Sequence, residues 1–295
     1  MNMTLIGQMV KKDWELNQWP MIAYLILGMV ALWLIITPGA IFFAVGSILL
    51  ITVVITIGIH MVISTVTNER KNQTLTFMMS LPMSYREYTM AKMIANIGVT
   101  GGAWVFLYGI LAALILLLEP FPDGIFPFAT LTMMYLFMIY IVLLATSMIS
   151  ESEPVTIVVM TVMNMTISLF MIWMGNHEGI GHLNGGAVAI WTPAAVTAFV
   201  SIISVIVVAL AITFYMQSKK RTKRIAFPRQ LCMFLAREMT DLTLADIGAH
   251  FGGRDHTTVI YAIERVEERV RREPAVSQMI EELKRDSRTA RSQSR

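Results

Sequence analysis

Six apolar stretches in the first 216 residues constrain this chain more than anything else in it: about 20–37, 40–64, 94–118, 127–149, 154–174 and 188–216. A hydrocarbon core about 30 Å thick is crossed by roughly 20 residues of helix. With no water inside it to satisfy backbone N–H and C=O groups, such segments must be helices. The expected fold is therefore all-α, with a six-span transmembrane helical bundle over residues 1–216. The first stretch is short, and Pro38-Gly39 separates it from the second, so these two are expected to form a tight helical hairpin. Lys11, Lys12, Asp13 and Glu15 precede the first run, and more spans follow at once, which reads as a multi-pass protein rather than a cleaved leader.

Charge divides the chain at the same place. Residues 1–216 hold six Lys/Arg against nine Asp/Glu, whereas residues 217–295 hold seventeen against eleven. A net −3 part is thus joined to a net +6 part suited to a polyanion or an anionic lipid surface. The six cations of the first part are Lys11, Lys12, Arg70, Lys71, Arg86 and Lys92, all before span one or between spans two and three. The loops on the opposite side carry only Glu119, Asp123 and Glu178. The positive-inside rule then puts both termini in the cytoplasm, with the chain in the cell (inner) membrane.

Nothing in the apolar runs suggests proton or ion chemistry, because no Asp, Glu, Lys or Arg falls at depth in them. His60 reads as a hydrogen-bonded packing residue. Asn164, Thr166 and Ser168 can bond across helices. His177 and His182 lie five apart in a Gly-rich loop and make a poor metal site, so no metal and no cofactor are expected. The 24 methionines read as adaptable apolar filler. Such a lining favours a hydrophobic or amphipathic cargo, a lipid or a peptide. Cys232, the single cysteine, excludes an internal disulfide and reads as a small core residue beside Leu231 and Leu235.

The segment Asn68–Lys92, NERKNQTLTFMMSLPMSYREYTMAK, is amphipathic and longer than a simple connector. Its Glu69-Arg70 start, the Thr74-Leu75 pair, the Ser80-Leu81-Pro82-x-Ser84 run and Lys92 before span three resemble the permease subunits of type-2 ABC exporters. The opening Lys11–Asn17 ahead of an apolar span is similar to that family too. The resemblance covers about residues 5–216. It implies that Glu69, Arg70, Thr74, Leu75, Leu81 and Pro82 belong to a coupling loop. The implied partners are a separate ABC ATPase subunit and a second permease, in a homo- or heterodimer. Phe77, Met78 and Leu81 can form an apolar face suited to a groove in a soluble partner. The alternative is a helix lying flat on the bilayer.

From Phe227 the pattern changes to soluble amphipathic helices. Leu231, Phe234 and Leu235 recur at i, i+3, i+4. Thr243 and Asp246 form a capping-box-like start for a short helix with Leu244, Ile247 and Ala249. Phe251-Gly252-Gly253 supplies a turn. Asp255 opens a longer helix with the stripe Val259, Ile263 and Val266, and Pro274 suits the first turn of a last one. Two helices joined by a Gly turn, with polar residues leading the second, make a helix-turn-helix. Asp255, His256, Thr257 and Thr258 are residue types that read base edges in the major groove; Asp255 can equally be only a helix cap and His256 only solvated. The run GGRDHTTV at 252–259 resembles the C-terminal DNA-binding domain of the replication initiator DnaA, over about Ser218–Leu283. That resemblance implies double-stranded DNA with DnaA-box-like sites as partner. It implies base contacts by Asp255, His256, Thr257 and Thr258, with Arg254 in the same signature. Arg221 would enter the minor groove, while Arg229, Gln230, Arg237 and Leu244 would touch backbone or thymine methyls. Many members have Pro after the residue matching Leu244, where this chain has Ala245.

No G-x-x-x-x-G-K-[ST] occurs in the sequence, so neither half carries its own nucleotide-binding P-loop, and the chain is read as no enzyme. Arg221 lies only five residues past Met216, a reach of about 17 Å even fully extended. The join falls where a permease would end and a DnaA domain, residues 217–295, would begin. The chain thus reads as a permease carrying a DNA-binding domain. The alternatives are a membrane-anchored regulator whose spans only tether it, and an artificial fusion (a chimera) of two independent modules.

Overall fold

A computed structural model describes residues 3–71, 85–117, 121–150, 152–219 and 223–293. These are overwhelmingly helical, and no strand occurs among the described residues. The helices are α1 (Met3–Ile36), α2 (Ala40–Val62), α3 (Asn68–Lys71), α4 (Tyr85–Leu117), α5 (Phe126–Ile149), α6 (Glu153–Asn176) and α7 (Pro193–Lys219). Four shorter ones follow: α8 (Lys223–Met239), α9 (Leu244–His250), α10 (His256–Arg272) and α11 (Pro274–Gln293). A π-helical turn, Ile63–Thr67, joins α2 to α3. The chain divides into two compact units, the first Met1–Glu69 with Arg86–Lys219, the second Arg70–Tyr85 with Lys220–Arg295.

Six helices are long and apolar enough to cross a membrane: Ile6–Ile36, Ala40–Thr67, Glu87–Leu117, Asp123–Ile149, Glu153–Asn176 and Pro193–Met216. Two differ from expectation. The first helix is not short: α1 runs without interruption through Pro20. Its 34 residues span about 51 Å, well over the hydrocarbon thickness. The third helix starts at Tyr85, so the last part of the expected Asn68–Lys92 loop is helix. Both extensions carry polar residues that sequence periodicity assigns to water but that pack against one another instead.

The α1–α2 hairpin is held by close backbone approach. A Cβ on Gly46 would stand 2.8 Å from the Ala31 carbonyl oxygen and 2.8 Å from the Ile35 nitrogen, so only glycine lets the two helices meet there. Helix α5 is the central one: 61% of its apolar window is buried, against 11% for α6 and for α7. It is tied to its neighbours by side-chain bonds. Trp104 Nε1 donates to the Met133 carbonyl at 2.9 Å, and the Tyr135 hydroxyl donates to Thr166 Oγ1 at 2.9 Å. The outward faces of the long helices expose Trp33, Val162, Leu169 and Val207. On those faces the hydroxyls of Thr52, Thr161, Thr197, Ser201 and Ser204 each donate to the carbonyl four residues back. That satisfies a polar group without water, as a hydrocarbon surrounding requires.

The C-terminal unit has two small cores. Leu231, Val266, Val276 and Ile280 form one, flanked by Phe227 and Phe234. Met233, Ile247, Val259 and Ala262 form the other, under Leu244 and Phe251. Cations brace its rim. The Arg269 guanidinium lies 4.2 Å from the Phe227 ring centroid, and Lys284 pairs with Glu238 at 3.3 Å.

Candidate functional site

The helix-turn-helix is built from α9, the turn 251–255 and α10. Helix α9 has only seven residues and depends on its cap. The Asp246 backbone N–H donates to Thr243 Oγ1 at 3.2 Å, while the Thr243 N–H donates to Asp246 Oδ2 at 3.1 Å. This is a reciprocal capping box with Asp in the third position. Accepting from the Thr243 hydroxyl and then from its backbone N–H holds the Asp246 carboxyl below its ordinary pKa. The turn folds back tightly onto α9. Arg254 N–H donates to the Gly248 carbonyl at 2.8 Å, and a Cβ on Gly248 would lie only 2.1 Å from the Arg254 carbonyl oxygen. Gly252 and Gly253 take φ values of 91° and 68°, the left-handed region that glycine enters at no steric cost.

Asp255 then caps α10, its Oδ1 accepting from the Thr257 N–H at 3.2 Å. Behind it Val259, Ala262 and Val266 turn inward and are buried. Arg254, Asp255, His256, Thr257 and Thr258 are all exposed. One helical period thus anchors α10 and offers its leading turn to solvent. His256 Nδ1 lies 2.5 Å from Asp255 Oδ1, so the same carboxylate caps the helix and orients the imidazole. Farther along, the cations of α10 are matched by carboxylates on the helix or at its C-cap. Arg265 pairs with Glu268 at 3.2 Å, Arg272 with Glu268 at 2.7 Å and Arg269 with Glu273 at 3.1 Å.

The other candidates fall in different surroundings. Arg229 is half-buried on α8, and its pKa is lowered by burial and then by the Arg254 cation close by. Gln230 is half-buried beside it. Arg237 Nη1 donates to the Leu242 carbonyl at 3.0 Å, bracing the α8–α9 connection. Leu244 packs on the Met233–Ile247–Val259 core. Arg221 lies outside the described residues, as do Thr74, Leu75, Leu81 and Pro82 of the expected coupling loop.

Glu69 of that loop belongs to a cluster which sequence periodicity does not reveal. Lys92, fully buried, donates to Asp13 Oδ2 at 2.7 Å, to Asp13 Oδ1 at 3.0 Å and to Glu69 Oε1 at 2.8 Å. Lys12 reaches the same Glu69 oxygen at 2.6 Å, and the Tyr88 hydroxyl donates to Glu69 Oε2 at 3.2 Å. Asp13 is 1% exposed. Two cations and two carboxylates therefore compensate each other across α1, α3 and α4. The π-turn lies beside this cluster, with Asn96 Nδ2 donating to Thr65 Oγ1 at 2.8 Å. The signal available in the sequence is spacing. Asp13 and Asn17, and likewise Tyr88, Lys92 and Asn96, recur every four residues and so share a helix face. His60 is a packing residue as expected, its Nε2 3.1 Å from Asn17 Oδ1 and its Nδ1 3.4 Å from the Tyr24 hydroxyl. No cluster of three metal-ligating side chains occurs among the described residues. His177 Nδ1 is used locally, accepting from the Gly179 N–H at 3.1 Å.

No solved structure matches the chain. A family model does match part of it, described as the helix-turn-helix of the bacterial dnaA protein, over residues 201–266. The matched stretch starts inside α7 and stops inside α10, earlier at both ends than the Ser218–Leu283 resemblance. Helix α9, its glycine turn and α10 as far as residue 266 lie within that stretch and are thus similar to the DnaA helix-turn-helix.

Proposed function

We propose that the chain is a membrane-embedded protein that binds double-stranded DNA sequence-specifically through α10. The observation that carries this reading is the exposed run Arg254–Thr258, held at the start of a helix whose other face is locked into a core. Leading residues of a second helix are the ones that reach base edges in the major groove. Thr257 and Thr258 offer hydroxyls and methyls, and the Asp255 carboxylate suits a cytosine amino group. Arg229 and Arg254 add two neighbouring cations of the type that contacts a phosphate backbone. Electrophoretic shift of residues 217–295 with a DnaA-box duplex and a scrambled one tests the proposal. Preference for the box is expected, and equal binding overturns it.

A second reading concerns the first unit: a type-2 exporter permease, driven by a separate ATPase subunit. It is favoured by the buried cluster, because Glu69 and Lys92 bracket the segment 70–91 and join its two ends to α1. A partner pressing on that segment would act on three helices through one charge-compensated joint. The cargo class that the apolar spans suggest is hydrophobic or amphipathic. Purified chain reconstituted with its ATPase should then show ATP hydrolysis stimulated by such compounds. Stimulation by hydrophilic solutes alone overturns this second reading and leaves the first untouched.

A further inference from the structure

Where α1 gives way to α2, residues of α1, α2, α4, α5 and α6 line a partly open cavity of about 290 Å³. Its walls are almost wholly apolar, with Phe43, Leu50, Leu111, Phe128 and Met171 each contributed by a different stretch of chain or a different turn. The Phe43 and Phe121 rings, 6.1 Å apart, stand on one side. The α6–α7 connection is fastened where Gly124 N–H donates to the Gly186 carbonyl at 2.8 Å. From that connection Asn184 enters the lining. Its Oδ1 is buried and has no hydrogen-bond partner.

These facts specify a ligand. An apolar lining of this kind offers water few of the two to four polar partners it needs and favours an apolar occupant. A buried acceptor left without a donor is costly, which favours an occupant able to supply one. Mostly apolar walls with a few polar groups, here Ser47, Thr132 and Asn184, are the usual make-up of a small-molecule site. We propose that this cavity binds a single-chain amphiphile ending in a hydrogen-bond donor, its chain among Phe43, Leu50, Leu111 and Met171 and its hydroxyl donating to Asn184 Oδ1. The site needs neither DNA nor an ATPase, so its test stands apart from both readings above.

The test uses the full chain in nanodiscs and a medium-chain alcohol bearing a photoactivatable diazirine, beside the matched alkane. The alcohol should label peptides covering 43–51 and 125–133, compete with unlabelled alcohol, and exceed the alkane there by about fivefold or more. Leu50→Trp fills the cavity and should remove that labelling while labels on the outward face of α6 persist. Ala129→Phe fills it from another helix and replaces Leu50→Trp if the latter lowers the yield of folded protein. Asn184→Leu should reduce the alcohol to the level of the alkane. Labelling of 43–51 and 125–133 that survives filling, escapes competition or ignores the hydroxyl overturns the proposal.

Discussion

At the residue scale the turn proposed to face DNA separates two kinds of side chain, those proposed to read bases and those that shape the turn. Thr257 belongs to the first kind. Its side chain is exposed, while its backbone N–H is already engaged by Asp255. Thr257→Ala should therefore leave α10 intact and relax sequence preference by about 1–3 kcal/mol, read as the ratio of binding constants for a box and a single-base variant. Arg254→Ala should weaken all duplexes alike and reduce the slope of log K against log salt by about one. Thr243 and Asp246 belong to the second kind. Thr243→Ala should cost about 1 kcal/mol of stability by thermal melting of residues 217–295. The pH dependence has a fixed sign. Since the Asp246 carboxyl is depressed in the folded state, the box stabilises fully above the ordinary value near 3.9. That contribution fades as pH falls through the lower folded value. The gap in melting temperature between the native chain and Thr243→Ala should therefore narrow below about pH 4. These shaping roles were legible in the sequence because caps and glycine turns are local. The Gly248 contact was not, since it depends on where the turn returns over α9.

At the scale of elements, legibility follows the source of burial. Apolar periodicity marks every long helix because lipid or core accepts any apolar side chain, so composition alone suffices. It misplaces the starts of α1 and α4, where burial is polar. Asp13 and Lys92 are hidden from water only because they meet each other, and that meeting is 79 residues apart in sequence. Removing one member of such a pair strands the other, whereas removing both leaves little to compensate. Lys92→Met should accordingly destabilise the first unit by about 3–5 kcal/mol, seen as a lower melting temperature in detergent. Asp13→Asn added to Lys92→Met leaves the Lys12–Glu69 pair and should recover most of the loss. If the double variant is as unstable as the sum of the two single ones, the four groups do not act as one joint.

At the scale of the whole molecule, the proposed function gives the basic C-terminal residues two competing polyanions, duplex DNA and the membrane surface. Residues 217–295 carry seventeen Lys/Arg against eleven Asp/Glu, and six of those cations fall in 219–229. Near an anionic leaflet each Lys or Arg gains about 1 kcal/mol. With so short a link from Met216, lipid head groups become a competitor for the same charges that DNA needs. Both interactions are electrostatic, but only the lipid one changes with headgroup composition. The full chain in nanodiscs of neutral lipid should bind a DnaA-box duplex about as tightly as residues 217–295 free in solution. In nanodiscs rich in anionic lipid it should bind several-fold more weakly at about 0.1 M salt, where the Debye length is about 10 Å. The difference should close toward 1 M salt, where screening shortens that length to about 3 Å. Fluorescence anisotropy with a labelled duplex measures all three. Equal affinity in neutral and anionic discs at low salt would mean that the basic run does not feel the bilayer, and that the spans serve the DNA-binding unit as no more than an inert tether.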